Sequence, residues 1–361
     1  MKWIFIFVPL FGIGYVSWHL WQLLPWGNLY KSLAIGLPVA ALFFVFSLGG
    51  LLDRLPLNLS TVIYEVVTSL PFIFLYLFLI FIVLDLGRLT GLVPRSWLHH
   101  NGTVSLVITG ILFAVFLYGN LHYYHKHREE ITLDSHGKVS RPLKVVMLSD
   151  LHLGFHNRRA ELDRWVKLIN KEQPDLILIA GDIIDIRVHP LLLEHDAEAF
   201  HNLSAPVYAC LGNHEYYSGS VAAQRFYHEA GIHLLRDSVA TVGDLCIVGR
   251  DDRTNFGRAS LATLMKQSDR KKYVIVMDHQ PYHLEEAQQN GADFQLSGHT
   301  HYGQVWPISW ITDAIYECAF GAYTKGHTQY YVTSGMGIWG GKFRIGTRSE
   351  YVVAHLTVSN K

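Results

Sequence analysis

Cysteine is scarce. The 361 residues contain three, Cys210, Cys246 and Cys318, an odd set without framework spacing, which excludes a disulfide scaffold and suits a reducing compartment. Charge is scarce too: 17% of residues are Asp, Glu, Lys or Arg, they balance to a formal net charge of zero, and mean hydropathy is +0.18. That balance argues against a nucleic-acid surface, which is ordinarily basic, and the hydropathy is too high for an ordinary soluble enzyme. No long Gly/Ser- or Pro-rich linker interrupts the chain, and the soluble half contains no internal repeat. Gly335-Met336-Gly337 and Gly340-Gly341 lack a following Lys-Ser/Thr in Walker spacing, so they read as turns rather than a phosphate loop.

The missing charges are missing mainly from one end. Trp3–Leu24, Ser32–Leu52, Val66–Leu84 and Gly102–Tyr124 carry no Asp, Glu, Lys or Arg, and each exceeds the roughly 18 residues that mark a membrane-span candidate. The expectation is an all-α membrane region of four transmembrane helices within residues 1–128 and a catalytic domain over residues 129–361. The first run is too long for a signal-peptide core and lacks a small-x-small cleavage site, so it is expected to be retained. Aromatic residues near the span ends, such as Trp26, Trp97 and Tyr124, read as an interfacial belt. Glu65, Asp85 and Arg88 flank the third span within reach of an interface, which speaks against transport. His99, His100, His122, His125 and His127 have no carboxylates in register and read as juxtamembrane polar residues. Four spans place both ends on one side, flanked by Lys2, Arg54, Lys126 and Arg128, against Lys31, Arg88 and Arg95 opposite. This near tie leaves either orientation open. Together with the cysteine usage, it gives the expectation of a multi-pass inner-membrane protein whose catalytic domain faces the cytoplasm.

Chemistry is concentrated where apolar runs stop. Val145–Leu148 leads into Ser149-Asp150-Leu151-His152, Leu176–Ala180 into Gly181-Asp182, and Val207–Leu211 into Gly212-Asn213-His214-Glu215. Tyr273–Met277 leads into Asp278-His279, and Phe294–Leu296 into Ser297-Gly298-His299-Thr300-His301. A buried strand running into a polar residue delivers it to the strand's C-terminal edge, where open α/β sheets keep their ligand sites. Helical segments at Arg158–Lys171 and Pro190–Asn202 separate the first three runs, giving β-α-β-α-β order with crossovers that suit parallel strands. Asp-x-His or Gly-Asp alone is an ordinary turn. Five strand ends carrying carboxylate, amide and imidazole together favour a divalent transition-metal site.

These blocks resemble the signature of the calcineurin-like metallophosphoesterase family: D-x-H, G-D, G-N-H-[DE], a later His and G-H-x-H. The flanking text Leu-Gly-Asn-His-Glu-Tyr-Tyr, Asp-His-Gln-Pro and Ser-Gly-His-Thr-His-Tyr-Gly-Gln-Val is similar to its branch of bacterial and animal membrane-linked phosphodiesterases. The resemblance covers roughly Lys144–Leu356. It implies a four-layer α/β (α+β) sandwich of two mixed sheets flanked by helices, and two divalent ions; His/Asp/Asn ligation without Cys allows Mn, Fe or Zn. By the same resemblance, Asp150, His152, Asp182 and His301 would hold one ion, and Asp182, Asn213, His279 and His299 the other. His214 would be the general acid or transition-state stabiliser and Arg250 a phosphate contact; beside them Glu215 reads as structural, and Asp278 as orienting or capping His279 rather than binding metal. Tyr302 departs from the branch, which often has Gly there, and bears on the mouth of the site. The substrate class implied is a phosphodiester or pyrophosphate, with a UDP-linked diacylglucosamine type as one amphiphilic possibility suited to a membrane.

The rest of the chain yields coarser expectations. His125–Arg141 is charged and polar and reads as a connector. Ser220–Ala230 reads as an amphipathic helix, and Ile232–Leu235, Val239–Val242, Leu245–Val248, Tyr330–Ser334, Lys342–Ile345 and Tyr351–Leu356 as strands. Besides a membrane-anchored phosphoesterase, a non-catalytic scaffold and a sensor or transporter with an accessory soluble domain stand as readings. Intact ligands disfavour the scaffold, and span composition disfavours transport.

Overall fold

The computed structural model describes residues 4–44 and 49–358. Packing divides the chain into two units, Met1–Leu121 with Gly340–Phe343, and His122–Trp339 with Arg344–Lys361. The first contains α1 (Ile4–Leu23), α2 (Asn28–Phe44), α3 (Gly49–Leu52), α4 (Leu57–Leu89) and most of α5 (Gly102–Tyr124). Among the described residues α4 and α5 are long and apolar enough to cross a membrane, and α2 is apolar but shorter. Part of the second expected span, residues 45–48, lies outside the described residues. α4 starts nine residues before the expected span because Pro56, with φ −54°, opens the helix and Leu57–Glu65 continue it. Asp85 and Arg88 do more than flank this helix. The Asp85 carboxylate accepts from Tyr15 at 2.7 Å and from Arg88 at 3.1 Å and lies 3.0 Å from His19 Nε2, while His19 stacks on Phe81 at 4.6 Å. This polar cluster pins α1 to α4.

In the second unit the strands are β1 (Lys126–Asp134), β2 (Leu143–Leu148), β3 (Leu176–Ala180), β4 (Val207–Cys210), β5 (His233–Leu234), β6 (Ser238–Val242), β7 (Leu245–Gly249), β8 (Tyr273–Met277), β9 (Phe294–Ser297), β10 (Gly321–Lys325), β11 (Thr328–Val332) and β12 (Ser349–Thr357). They form two mixed six-stranded sheets, ordered β1-β12-β2-β3-β4-β5 and β10-β11-β9-β8-β7-β6. In each, four consecutive neighbours are parallel, β2-β3-β4-β5 and β7-β8-β9-β11. The helices are α6 (Arg159–Lys171), α7 (His189–Leu193), α8 (Asp196–Phe200), α9 (Asn213–Tyr217), α10 (Ser220–Glu229), α11 (Leu261–Met265), α12 (Glu285–Gln289) and α13 (Ile308–Ile315).

Alternation along the strands builds the layers. Val145, Met147 and Leu178 of the first sheet pack with Ile247, Ile275 and Leu296 of the second. Val146, Leu148 and Ile179 meet Trp165 and Ile169 of α6 on the other face, and Val248, Val274 and Val276 meet Leu264 of α11 and Ala287 of α12. The order is helix, sheet, sheet, helix, as the resemblance implies.

Three local expectations are corrected. Most of His125–Arg141 is strand: β1 pairs in parallel with β12 from Lys126↔Ser349 to Asp134↔Thr357. As an edge strand with solvated side chains it carries the charges that blunt edges, so its sequence looks like a connector. Lys342–Ile345 contributes a single bridge, Ile345 with Val305, and no strand. Pro190–Asn202 is two short helices, broken at His195, whose φ is 55°.

Candidate metal centre

β2, β3, β4, β8 and β9 all end two or three residues before a candidate ligand, Asp150, Asp182, Asn213, His279 and His299 respectively. The backbone then turns in an unusual way. Asp150, His152, Asp182, His299 and His301 have φ of 55°, 45°, 54°, 71° and 47°, a left-handed conformation that costs a non-glycine residue about 1–3 kcal/mol. Such concentrated strain marks a functional site. Two glycines serve by giving room rather than by turning. A Cβ on Gly212 would lie 2.1 Å from Asp182 Oδ1, and one on Gly298 would lie 2.2 Å from Asp150 Oδ2.

The side chains converge as three groups able to hold a metal ion: Asp150, His152 and His301; Asp182, His279 and His299; and, sharing His152 with the first, His152, Asp185 and His214. Asp182 Oδ2 lies 3.1 Å from His279 Nε2 and 3.7 Å from His152 Nε2, so one carboxylate oxygen reaches both. His301 Nε2 is 3.4 Å from Asp150 Oδ1 and 3.0 Å from His152 Nε2. The carboxylates are aimed by backbone: His299 N–H donates to Asp150 Oδ2 at 3.0 Å, and His214 N–H to Asp182 Oδ1 at 2.9 Å. His279 Nδ1 contacts Ala180 O at 2.7 Å, so Nε2 is the nitrogen left for a cation. Burial works against the charged ring, but the Asp182 carboxylate raises it well above the ordinary range, so a cation binding at Nε2 displaces a proton. That Nε2 and Asn213 Oδ1 are buried with no hydrogen-bond partner, as atoms reserved for a cation are. The donor set therefore fits divalent ions bound through O and N.

Charge agrees with this. Burial alone would raise the Asp150 and Asp182 carboxyls, but His301 beside Asp150 and His279 beside Asp182 hold both well below the ordinary range. Burial and neighbouring His279 push His299 down to about 4, leaving its lone pair available. Burial works against His152, yet the Asp150 and Asp185 carboxylates raise it to about 10, so a cation binding there displaces a proton.

Sequence reasoning passed over Asp185. Fully buried, its Oδ1 lies 3.2 Å from both His152 Nδ1 and His214 Nδ1. The signal was Asp182-Ile183-Ile184-Asp185, the second acid three residues after the first. Arg344 was passed over too: completely buried, it donates to His301 O at 2.7 Å and Gly337 O at 3.1 Å and so clamps the turn that carries His301. Glu215 is structural as expected, accepting from the backbone N–H groups of Asp182, Ile184 and Gly212. Asp278 does not orient His279; its oxygens take Arg250 at 2.9 Å and Arg258 at 3.0 Å. Arg250, buried and bound also to Glu286 at 2.8 Å, is committed to this network. The neighbouring Arg253 stands over the Tyr282 ring at 4.3 Å, Tyr282 meets Tyr316 at 4.7 Å, and Tyr316 lies 6.3 Å from His299. Tyr302 stacks on Phe320 at 4.9 Å. His122, His125 and His127 meet edge to edge and, among the described residues, form no group able to hold an ion.

Comparison with known proteins bears on the same residues. The calcineurin-like phosphoesterase model matches residues 143–303. An uncharacterized metallophosphoesterase of Campylobacter jejuni is 30% identical over 256 residues, 68% of this chain and 68% of that protein. The transmembrane protein with metallophosphoesterase domain of Danio rerio is 30% identical over 302 residues, covering 76% and 69%. A metallophosphoesterase of Aquifex aeolicus is 28% identical over 265 residues, 70% of this chain and 99% of its own. With all five strand-end blocks inside the matched span, and two relatives at 30% identity aligned over more than two thirds of their length, this chain belongs to the calcineurin-like phosphoesterase family.

Proposed function

We propose that the protein is a membrane-anchored, metal-dependent hydrolase that cleaves a phosphodiester or pyrophosphate bond, with its catalytic unit on the cytoplasmic face of the inner membrane. The observation that carries the reading is Asp182, one oxygen of which reaches His279 and His152, ligand candidates in different groups. Asp150, His152, Asp182 and His301 would hold one divalent ion, and Asp182, Asn213, His279 and His299 a second. Bound there, such ions supply Lewis-acid polarisation of the phosphoryl group and a water of lowered pKa.

The chain's own residues do the remaining work. Asp185 faces Nδ1 of His214, which leaves Nε2 as the ring nitrogen that exchanges a proton with the departing oxygen. His214 is anchored through its own backbone N–H to Asp182, so the proton donor is fixed relative to the shared ligand. Since Arg250 is occupied, Arg253 is the guanidinium available to an anionic substrate group beyond the reacting phosphorus, with Tyr282 and Tyr316 walling the approach to His299. The long apolar helices α4 and α5 and the transmembrane relative from Danio rerio support the membrane anchor. That location favours an amphiphilic substrate such as a UDP-linked diacyl sugar.

The test is hydrolysis by the detergent-purified full chain of an aryl phosphodiester beside a UDP-linked diacyl sugar, with Mn²⁺ and with chelator. Chelator-sensitive cleavage is expected, faster on the lipid-linked substrate, and lost in Asp182→Asn and Asn213→Ala. Undiminished turnover in either variant overturns the site assignment.

A further inference from the structure

Apart from Tyr124 and Val358, every large apolar side chain exposed in the described part of the second unit lies on a segment leaving the C-terminal end of a strand. That edge also carries the metal-binding side chains. Leu192 and Leu193 follow β3, Tyr217 and Val221 follow β4, and Phe256 follows β7. Exposed apolar groups scattered over a surface are unremarkable, whereas a set drawn from the segments that follow one set of strand ends points to a contact surface.

The densest part of the set is α13. Its polar residues Ser309 and Thr312 face inward, Thr312 Oγ1 donating to Ser309 O at 2.8 Å. Trp310 is 65% exposed, Ile311 54% and Ile315 48%, and Trp306, just before the helix, 42%. A helix packed on a water-soluble domain ordinarily has the reverse arrangement. Both ends are fixed to the metal centre. A Cβ on Gly303 would come within 2.4 Å of Ser309 N, so the helix starts directly on the turn of His301, and at its far end the Tyr316 ring lies 6.3 Å from His299. The only charged side chain of α13, Asp313, accepts from Tyr302 at 3.3 Å.

We propose that this lip seats in the interfacial zone of a phospholipid bilayer, so that the metal centre takes its phosphoester from the lipid plane. The inference rests on the reading that α4 and α5 cross a membrane. α5 ends at Tyr124 and β1 begins at Lys126, so one residue separates a membrane-length helix from the catalytic unit, and the bilayer stays within reach of every turnover. Tryptophan beside aliphatic residues, with little charge, is the composition suited to the headgroup boundary.

The full chain is reconstituted in phosphatidylcholine/phosphatidylglycerol vesicles with a nitroxide on Trp310→Cys or Ile311→Cys, and on Val358→Cys as a reference remote from the rim. The native Cys210, Cys246 and Cys318 are buried, which favours labelling at the introduced thiol. Labels at 310 and 311 are expected to collide more with oxygen than with an aqueous nickel chelate, and the label at 358 the reverse. Chelate accessibility at 310 and 311 equal to that at 358 overturns the proposal. So does exclusion of both agents with a short label-to-label distance, which assigns the face to a second copy of the chain. In parallel, Ile311→Glu is expected to lower kcat/KM at least about tenfold on a vesicle-embedded lipid-linked phosphoester and less than about twofold on a soluble aryl phosphodiester; equal losses on both overturn the proposal. Failure of the unaltered chain on the aryl ester would count against the phosphoesterase reading alone, because the label accessibilities decide the surface without turnover.

Discussion

Asp185 sets the side chains on either side of it in a fixed relation: one oxygen serves the ring nitrogens of both His152 and His214. Removing its charge while keeping its shape separates the two duties. Asp185→Asn is expected to lower kcat about 10- to 100-fold, the usual effect of losing a carboxylate behind a functional histidine, with metal content by atomic absorption falling much less. A parallel loss of metal would confine Asp185 to supporting His152. Asp196 makes a second residue-scale case. It is buried, its Oδ1 has no hydrogen-bond partner, and burial followed by nearby Glu194 raises its carboxyl from 3.8 to about 8. The fold thus favours the neutral form, so this stabilisation is complete below pH 3.8 and lost as pH rises through about 8. Asp196→Asn should raise thermal stability at pH 8 by about 1–3 kcal/mol and change it little at pH 4, read from melting curves at the two pH values. The seven ligand candidates were legible because ligand identity is local, written in the two or three residues after an apolar run. Asp185 and Arg344 were not, since what gives them a role is contact with His152, His214 and the His301 carbonyl, far away in sequence. Arg250 shows the converse. The family resemblance implied a phosphate contact, and only the structure shows Asp278 and Glu286 already holding it.

Elements were legible where burial is complete and obscure where one face meets solvent. β3 and β8 fall where their unbroken apolar runs placed them, Leu176–Ala180 and Tyr273–Met277. β1 opens with five charged or polar residues, Lys126–Glu130, along an edge, so pairing with β12, more than 200 residues later in the chain, decides its state. The run Lys342–Ile345 had strand composition and no free neighbour to pair with beyond Val305. Within the first unit, the pin between α1 and α4 is likewise an element-level fact that span composition concealed. Asp85→Ala strips acceptors from Tyr15 and Arg88 and leaves His19 buried against Phe81. The expected cost is about 0.5–2 kcal/mol, seen as earlier melting in detergent with metal content unchanged.

The whole molecule is two packed units with separate chemistry, apolar helices in one and a metal-binding sandwich in the other. Every candidate ligand, from Asp150 to His301, belongs to the second unit. Binding energy therefore enters through that unit alone, and the two should respond differently to a divalent cation. With Mn²⁺ at 100 times its dissociation constant the second unit gains about 2.7 kcal/mol. For a domain of this size that is a rise of about 5–10 °C in its Tm. Because His152 carries a proton up to about pH 10 and must release it to bind, the rise should be smaller at pH 6 than at pH 8. Calorimetry of the full chain in detergent, with the two transitions assigned by near-UV and far-UV signals, reads both effects. A Mn²⁺-dependent rise confined to the sandwich transition, and absent in Asp182→Asn, fits ions held by that carboxylate. Equal rises in both transitions would mean that the cation acts on the detergent or the helices, and would remove the linkage between metal binding and the catalytic fold.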